Sequence, residues 1–293
     1  MKIRERVKQL RELMKKEDIQ TWIVPSADPH QSEYVADRWK SRAWISGFTG
    51  SAGTVVIMAE KAGLWTDSRY FLQAEQELQG SDIELFKMKV EGVPEMEEWL
   101  QKRLKPGNRI GFDGKCMSIN QTRDLKVKVG EKIDFKTDLD LINQIWQDRP
   151  EIPMQKIENY PAELCGENRQ SKIERVQSKL KEKDCDGYLI TALDSVAWLY
   201  NIRGKDVEYN PVAYSYAFIS EEKAYLFIKE EKIDTSLKNV LIQDNIELKD
   251  YDEIIEFLDS LDDKRIFLDP AKTSIRLKKA LPESCEVKED TDL

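Results

Sequence analysis

The second half of the chain repeats the order of segments found in the first half. The segment KKEDIQTWIVPSAD (15–28) aligns with KEKDCDGYLITALD (181–194), so that Asp28 corresponds to Asp194. Four more pairs follow in the same order: AWISGF with AWLYNI, TVVIM with YAFIS, KAGLW with KAYLF, and NRIGFD with KRIFLD. Chance matches of single motifs would not preserve this order, and internal self-similarity indicates a duplicated structural unit. The sequence therefore predicts a tandem repeat of one α/β domain.

Chain length and a change in composition set the predicted domain boundaries. A chain of 293 residues is long for one domain, and two domains that each bury a core are expected. Residues 148–168 contain three prolines without hydrophobic periodicity, which indicates a boundary, and IWQDRP (145–150) is the expected hinge. We place domain I at 1–150, a linker at 151–164 and domain II at 165–293.

Helical and strand patterns alternate within the predicted domains. Residues 2–16 place apolar side chains at helical spacing, and the strand TWIVP follows this helix. The short segments AWISGF, TVVIMAE and AGLWTD are typical of an antiparallel meander of strands. Helices and strands then alternate up to a helix near INQTRDLKVKV. The fold class is therefore mixed α/β, with a mixed sheet flanked by helices in each domain.

Charge, hydropathy and cysteine spacing exclude several classes of protein. The balance of 46 basic against 55 acidic residues argues against a nucleic-acid partner, because phosphate binding needs a basic surface. The N-terminus lacks the apolar core of a signal peptide, and no run is long enough to span a bilayer. We therefore expect a cytoplasmic protein with no membrane partner. The four cysteines form no C-x-x-C pair, so reduced thiols are expected.

Catalytic and metal-binding patterns are weak throughout. His30 is the only histidine, which excludes H-E-x-x-H and every zinc site built on a histidine pair. Carboxylate sites for magnesium, manganese or calcium stay open in principle, but the acids are spread along helices. Ser51 has only His30 as a possible base, and no third member of a triad is evident. We expect no catalytic residue and no metal ligand in this chain.

The glycine run GFTGSAGT (47–54) favours a structural interpretation. It matches neither G-x-S-x-G nor the glycine patterns that bind phosphate. Glycines at this spacing between two strands more often serve a tight turn or a close approach of the backbone.

The segment WTDSRYFLQAEQEL (65–78) holds an acid, a hydroxyl and a base ahead of a predicted helix. Asp67 is predicted to be the N-cap, because its side chain precedes the first helical turn. Trp65 is predicted to end a core strand. In the second half, Trp198 alternates with Ala197 and Leu199 and is predicted to lie in the core.

Several of these stretches resemble one known family. The segments IVPSADPHQSEY, WISGFTGSAGTVVI, LWTDSRYFLQA, IWQDRP and ALDSVAWLYNIRGKDVEYNPVAYSYAFI are similar to the N-terminal part of Xaa-Pro aminopeptidases, the aminopeptidase P enzymes of the creatinase and prolidase group. The resemblance runs from Leu10 to Pro270. It implies two creatinase-type N-terminal domains that precede a C-terminal pita-bread catalytic domain, which we expect to be absent from this chain.

The resemblance implies a function for the whole enzyme and not for this chain alone. The enzyme removes the N-terminal residue of peptides with proline in second position, and it uses two divalent ions, manganese or zinc, held by the catalytic domain. The two N-terminal domains would then shape and restrict the substrate cleft and support oligomerisation, with the catalytic domain itself and possible homodimers as partners. This chain alone is expected to be inactive.

Three residues are the candidate substrate-binding set implied by the resemblance. Arg69 would bind substrate or orient Glu33, because its planar guanidinium grips carboxylates and carbonyls. The alternative for Arg69 is a surface contact with Glu75 or Gln73. Glu33 would hold a substrate amine, and its alternative is an acid in the first turn of a helix. His30 would lie in the same site, and its alternative is a hydrogen-bonded loop residue.

Two interpretations stay open at this point. In domain II, Asn201, Arg203, Gly204 and Asn210 form a polar loop that either lines the cleft or docks on the catalytic domain. The chain as a whole is either the N-terminal region of a metallopeptidase or a stand-alone, non-enzymatic module that binds peptides or proteins. A reading frame that continues beyond Leu293 with the family's metal ligands would distinguish the two.

Overall fold

The computed structural model describes residues 2–293, and these form two compact units. Unit 1 contains residues 2–28 and Asp37–Glu151, and unit 2 contains Pro29–Ala36 and Ile152–Leu293. Residues 29–36 thus belong to unit 2 although they lie in the first half of the sequence. Residues 152–164, within the segment predicted to be a linker, also belong to unit 2.

Unit 1 is built on one six-stranded mixed sheet. Its helices are α1 (Ile3–Lys16), α2 (Ser41–Ser46), α3 (Phe71–Glu77), α4 (Met96–Gln101), α5 (Ile119–Val129) and α6 (Leu141–Ile145). Its strands are β1 (Thr21–Pro25), β2 (Thr54–Met58), β3 (Ala62–Thr66), β4 (Glu84–Lys87), β5 (Arg109–Gly111) and β6 (Asp134–Lys136). The strand order is β4-β3-β2-β1-β5-β6.

Unit 2 is built on a second sheet of the same size. Its helices are α7 (Ala162–Cys165), α8 (Arg169–Glu182), α9 (Leu193–Leu199), α10 (Thr235–Gln243), α11 (Ile254–Asp259) and α12 (Ile275–Lys278). Its strands are β7 (Glu158–Asn159), β8 (Gly187–Ile190), β9 (Ile202–Arg203), β10 (Tyr216–Ser220), β11 (Ala224–Phe227), β12 (Ile246–Lys249), β13 (Arg265–Leu268) and β14 (Glu286–Glu289). The large sheet has the order β12-β11-β10-β8-β13-β14, and β7 pairs separately with β9.

The two sheets share strand order and register, which confirms the predicted duplication. Thr21 of β1 lies opposite Met58 of β2, and the aligned Gly187 of β8 lies opposite Ser220 of β10. The central three strands of each sheet are antiparallel, as the short hairpins predict. The outer strands pair in parallel through helical crossovers, such as β3-α3-β4 and β5-α5-β6. Each unit is therefore a mixed sheet flanked by helices.

The helices form where apolar spacing and capping residues agree. Helix α1 buries Val7, Leu10 and Met14 on one face, at the spacing of successive helical turns. Helix α5 begins at a capping box in which the Ser118 side chain accepts from Gln121 N–H and the Gln121 side chain accepts from Ser118 N–H. Each of these two helices lies where the sequence predicts it.

The prediction of strands at AWISGF and AWLYNI is wrong. AWISGF falls in α2 and the turn that follows it, and AWLYNI runs from α9 through a turn to Ile202, the first residue of the two-residue strand β9. Helix α2 buries Arg42, Ile45 and Ser46, which is a helical and not an alternating pattern, and it ends at Gly47 in the left-handed conformation (φ +78°). Alternation over a few residues is too short to separate a strand from a short helix.

The prediction that Trp198 lies in the core is wrong for the same reason. Its side chain is 39% exposed, while its neighbours Ala197 and Leu199 are buried. In helix α9 part of the indole faces solvent, and the ammonium of the buried Lys172 lies 4.5 Å from its ring centroid. The ring is therefore held by a cation–π contact from the interior and is not enclosed in the core.

Candidate functional site

The segment 65–78 combines a buried strand end with an exposed turn. Trp65 is 2% exposed at the end of β3, as predicted, and the Thr66 hydroxyl donates to the Ala52 carbonyl at 2.6 Å. The Asp67 side chain then accepts from Arg69 N–H at 3.1 Å and caps a 3-10 turn at 68–70, which leads into α3. The prediction that Asp67 is an N-cap is confirmed.

Arg69 is exposed but held in one orientation. Its Nε and Nη2 donate to the two Asp67 carboxylate oxygens at 2.9 and 2.8 Å. The guanidinium side chain is 67% exposed, so its outer edge faces solvent. Its ion-pair partner is Asp67, and the alternative partners Glu75 and Gln73 predicted from helical spacing are wrong. The same hydrogen bonds lower the pKa of Asp67, so both groups stay charged at neutral pH.

The glycine run lies against the same surface of unit 1. The Ser51 and Tyr70 hydroxyls are 2.6 Å apart, and Thr49 N–H donates to the Glu77 carboxylate at 2.8 Å. A Cβ at Gly50 would lie 2.7 Å from the Tyr70 ring, so the backbone approaches the 3-10 turn at 68–70 as only glycine allows. The structural interpretation of the run is confirmed. The fold thus joins two sequence motifs, the loop 47–53 and the segment 65–78, into one surface.

A buried arginine that sequence analysis did not single out binds the loop 47–53 from the interior of unit 1. Arg42 is 5% exposed and donates to Ser26 Oγ at 2.8 Å, to the Phe48 carbonyl at 2.7 Å and to the Gly50 carbonyl. Burial lowers its pKa to about 10. No local signal in SRAWIS predicts this role, because the acceptors belong to a loop that only folding brings over the arginine.

His30 and Glu33 lie in unit 2, in the segment 29–36, whereas Arg69 lies in unit 1. The His30 ring is 1% exposed, with Nδ1 at 2.7 Å from the Thr191 carbonyl and Nε2 at 2.9 Å from the Tyr251 hydroxyl. Since a carbonyl only accepts, Nδ1 carries the proton of the bond to Thr191. The Tyr216 ring centroid is 4.3 Å from the imidazole centroid, which completes an aromatic enclosure.

Glu33 is exposed and outside any helix, so its alternative as an acid in a helical first turn is wrong. The buried His30 ring, three positions earlier, anchors the segment that carries it. The exposed Glu33 carboxylate therefore lies on a short segment that is anchored at His30.

The predicted polar loop of unit 2 separates into buried and exposed members. Asn201 is 2% exposed and serves the fold, since its side chain accepts from Lys172 Nζ at 2.6 Å and donates to the Glu167 carbonyl at 2.9 Å. Arg203 donates to the Ala197 carbonyl at 3.1 Å and lies 4.5 Å above the Tyr160 ring. Asn210 belongs to a hairpin whose tip projects into solvent.

A buried ion pair fixes the base of that hairpin. Lys232 and Asp206 have no exposed side-chain surface, and Lys232 Nζ donates to Asp206 Oδ2. Tyr214 N–H donates to the same oxygen at 2.7 Å. Burial raises the pKa of Asp206 and lowers that of Lys232, because desolvation disfavours both charges. Removing one partner would leave the other charge buried and unpaired.

Neither a metal site nor a membrane helix is found among residues 2–293. No group of three or more His, Cys, Asp or Glu side chains is arranged to hold a metal ion. No helix in this part of the chain is both long and apolar enough to cross a membrane. Arg69 of unit 1 and Glu33 of unit 2 are both exposed charged residues.

Comparison with family profiles matches both halves of the chain to one domain type. The creatinase/prolidase N-terminal domain matches residues 6–145 and again residues 148–293. The two matches agree with the two sheets of equal topology described above.

Curated and solved relatives are larger than this chain. It is 35% identical over 274 residues to aminopeptidase P2 of Arabidopsis thaliana, covering 92% of this chain and 38% of the relative. It is 42% identical over 254 residues to a probable Xaa-Pro aminopeptidase P of Talaromyces marneffei, covering 85% of this chain and 38% of the relative. The crystal structure of X-prolyl aminopeptidase from Caenorhabditis elegans, described as a cytosolic enzyme with a dinuclear active site, superposes with a TM-score of 0.93 at 30% identity. That match covers all of this chain and 50% of the worm protein.

Proposed function

Each half of the chain belongs to the creatinase/prolidase N-terminal domain family, and from this we propose that the chain is the N-terminal, two-domain region of an Xaa-Pro aminopeptidase. The observation that carries the proposal is similarity in both domains, in the same order, to enzymes of this activity. The whole protein is proposed to remove the N-terminal residue from peptides with proline in second position. It is proposed to act in the cytoplasm, as the worm enzyme is described.

The proposed metal site lies outside the described residues. A dinuclear site loaded with manganese or zinc would activate a water and polarise the scissile carbonyl. Residues 2–293 do not fit such a site, because they hold no suitable group of ligands. No step of the reaction is therefore assigned to a metal bound by these two units.

The role proposed for these units is to shape and restrict the substrate cleft and to support oligomerisation. Arg69 is the main candidate for substrate contact, since Asp67 holds its guanidinium in a fixed plane while 67% of the side chain stays exposed. A guanidinium that is already oriented binds a peptide carbonyl or carboxylate at a low cost in side-chain entropy. Glu33 is proposed to meet the substrate amine, and His30 to belong to the same site by fixing the segment that carries Glu33.

The test compares the chain of 293 residues with the protein encoded by its complete reading frame. We expect the complete protein to release the first residue of an Xaa-Pro peptide in the presence of manganese, and residues 1–293 alone to release none. A substrate with alanine in place of proline serves as the control for specificity. A complete protein without this activity would contradict the proposal. A reading frame that ends at Leu293 would favour the alternative of a stand-alone binding module.

A further inference from the structure

A cavity of about 720 Å³ lies in unit 1, at the end of the sheet opposite to Arg69. Its lining comes from the second half of α1, from residues 18–20, from the β2–β3 turn at 58–61, and from Arg103 and Asn108. Met58 ends β2, whereas Arg69 follows β3, and these two strands are antiparallel. A five-residue strand spans roughly 15 Å, so the cavity is separate from the surface around Arg69.

The buried part of the lining is apolar, and the charged part is mainly basic. Met14 and Ile19 are 2% and 4% exposed. The cations of the lining are Lys8, Arg11, Lys15, Lys61 and Arg103. The acids are fewer, namely Glu12, Asp18 and Glu60, and Asp18 pairs at 3.0 Å with Arg109, which is outside the lining. The cavity is therefore locally basic in a chain whose net charge is -9.

Arg11 is the half-buried cation of this lining. Its Nε donates to the Met58 carbonyl at 2.9 Å, and within residues 2–293 the guanidinium has no ion-pair partner. Burial lowers the pKa of Arg11, and the charges of Asp82 and Glu60 offset that effect only in part. An anion bound in the cavity would stabilise a guanidinium that folding has partly removed from water.

The second unit shows what the fold itself requires at this position. The alignment of the two halves, extended back along α1 and α8, places Gln177 at the position of Arg11. The register of the two sheets places Ser220 at the position of Met58. Gln177 Nε2 donates to the Ser220 carbonyl at 3.0 Å, so a neutral side chain makes the equivalent bond. The fold needs a donor here, and the positive charge of Arg11 is an additional property of unit 1.

Other positions of the cavity differ between the two units in the same direction. Glu174 of α8 corresponds to Lys8 of α1, and Glu221 of the β10–β11 turn corresponds to Ala59 of the β2–β3 turn. The two sheets nevertheless have the same strand order. The shared architecture therefore does not require basic side chains at this end of the sheet.

We propose that this cavity binds a small amphipathic anion, in which a carboxylate or phosphate is joined to an apolar body. Arg11 binds the anionic group, with Lys8 and Lys15 on the same face of α1, and the apolar body lies against Met14 and Met58. The volume is within the range of about 300 to 1,000 Å³ that small-molecule sites occupy. The inference does not depend on the proposed function.

The test measures binding of decanoate, below its micelle concentration, by isothermal titration calorimetry. We expect one site per chain, equal affinity in residues 1–293 and in the complete protein, and weaker binding as salt concentration rises. Decyl phosphate identifies which anionic group is preferred. Acetate, which lacks the apolar body, and decyltrimethylammonium, which has the opposite charge, should each bind at least about tenfold more weakly than decanoate.

Arg11→Gln is the decisive variant, because Gln177 shows that glutamine keeps the bond to the carbonyl. The Kd for decanoate should rise by about tenfold through loss of one charged contact, while the melting temperature stays unchanged. Lys16→Gln removes the same charge from an exposed position of α1 outside the lining, and it should leave Kd unchanged. Met58→Ser, which introduces the residue found in unit 2, should raise Kd by about fourfold.

Several outcomes would overturn the inference. These are the absence of saturable binding, equal effects of Arg11→Gln and Lys16→Gln on Kd, and decyltrimethylammonium binding as tight as that of decanoate. Loss of binding in the complete protein would show that the cavity is covered there. Binding to anionic phospholipid vesicles without binding of monomeric decanoate would assign the basic surface to a membrane instead. None of these results bears on cleavage of Xaa-Pro peptides, because the cavity is separate from Arg69.

Discussion

Asp67 and Arg69 form one ion pair, in which Asp67 stabilises the fold and Arg69 is the proposed functional residue. The carboxylate caps the 3-10 turn through Arg69 N–H and also receives two bonds from the guanidinium. The cap is a hydrogen bond from the Arg69 backbone N–H to the Asp67 side chain, whereas the outer edge of the guanidinium remains open to solvent. Substitutions at the two positions should therefore have different consequences.

Asp67→Ala should destabilise unit 1 without removing the guanidinium. Loss of an N-cap costs about 1 kcal/mol, so the midpoint of urea unfolding, followed by tryptophan fluorescence, should fall. Asp67→Asn is the matched control, because its side-chain oxygen still accepts from Arg69 N–H. If the asparagine variant lost as much stability as the alanine variant, the cap would not be the cause.

Arg69→Ala should lower activity and leave stability nearly unchanged, in contrast to Asp67→Ala. In the complete protein we expect kcat/KM for an Xaa-Pro peptide to fall by about tenfold, through loss of one charged contact to substrate. The unfolding free energy of unit 1 should change by less than about 0.5 kcal/mol, because the ion pair is exposed. Arg4→Ala, which breaks an exposed pair with Asp82, is the control. Unchanged kcat/KM in Arg69→Ala removes this residue from the proposed site.

Asp113 gives unit 1 a predicted pH dependence. The residue follows β5, and burial together with nearby Asp140 raises its pKa from 3.8 to about 6. Between these values the folded state binds more protons than the unfolded state, so the contribution of Asp113 to stability falls as pH rises from 4 to 6. At pH 7, Asp113→Asn should unfold at a higher urea concentration than wild type. Its unfolding free energy should be larger by about 1 to 2 kcal/mol.

The same comparison at pH 4 is the control for this variant. Asparagine still accepts from Lys115 N–H, which bonds to Asp113 Oδ1 at 3.0 Å, so the turn is preserved. The difference between the two proteins should therefore shrink as the pH falls to 4. Parallel pH profiles for wild type and Asp113→Asn would show that this carboxyl does not titrate differently on folding.

At the scale of elements, helix α2 and the loop that follows it depend on one buried cation. Arg42 serves three acceptors, two of which are backbone carbonyls of the loop, at Phe48 and Gly50. These carbonyls have little access to water once the loop closes over α2. Glu77 and Gln73 of α3 hold the outer side of the same loop through Thr49. The loop is thus fixed between two helices, which explains how a glycine-rich segment keeps one conformation.

Arg42→Met should therefore cost more than a surface substitution. It leaves buried carbonyls without a donor, and we expect a loss of about 2 to 4 kcal/mol in the unfolding free energy of unit 1. Arg4→Met, at a position where the arginine side chain is 63% exposed, should lose less than about 0.5 kcal/mol. Equal losses in the two variants would contradict a supporting role for Arg42.

At the scale of the whole molecule, the division into units does not follow the sequence continuously. Residues 29–36 belong to unit 2, with His30 enclosed by Thr191, Tyr216 and Tyr251. The chain therefore passes between the units after residues 28, 36 and 151. A substitution in the first half of the sequence is expected to affect the stability of unit 2.

His30→Ala is the direct test of that assignment. It removes two buried hydrogen bonds and an aromatic contact, so we expect unit 2 to lose about 2 to 3 kcal/mol. Hydrogen exchange should accelerate in β8 and around Tyr251, and the core strands of unit 1 should keep their protection. Glu33→Ala, an exposed position of the same segment, is the control and should leave both units unchanged. Faster exchange confined to unit 1 would contradict the assignment of residues 29–36.

The sequence by itself determined the duplication, the antiparallel strands β1 to β3 and the long helices α1 and α5. Their signals are local, since periodicity and capping depend on residues a few positions apart. The cap at Asp67 was predictable for the same reason. The candidate site was predictable only as a set of residues in quoted motifs, and not as a surface.

Tertiary structure decided the features that depend on contacts far apart in the chain. His30 meets hydrogen-bonding partners 161 and 221 positions later, and no local pattern encodes which unit encloses it. Contacts with distant residues also decided three other features: the helix α2 in place of a strand, the outward indole of Trp198 and the burial of Arg42. At each position the free energy of packing against distant residues outweighs a weak local preference, because short segments differ little in intrinsic propensity.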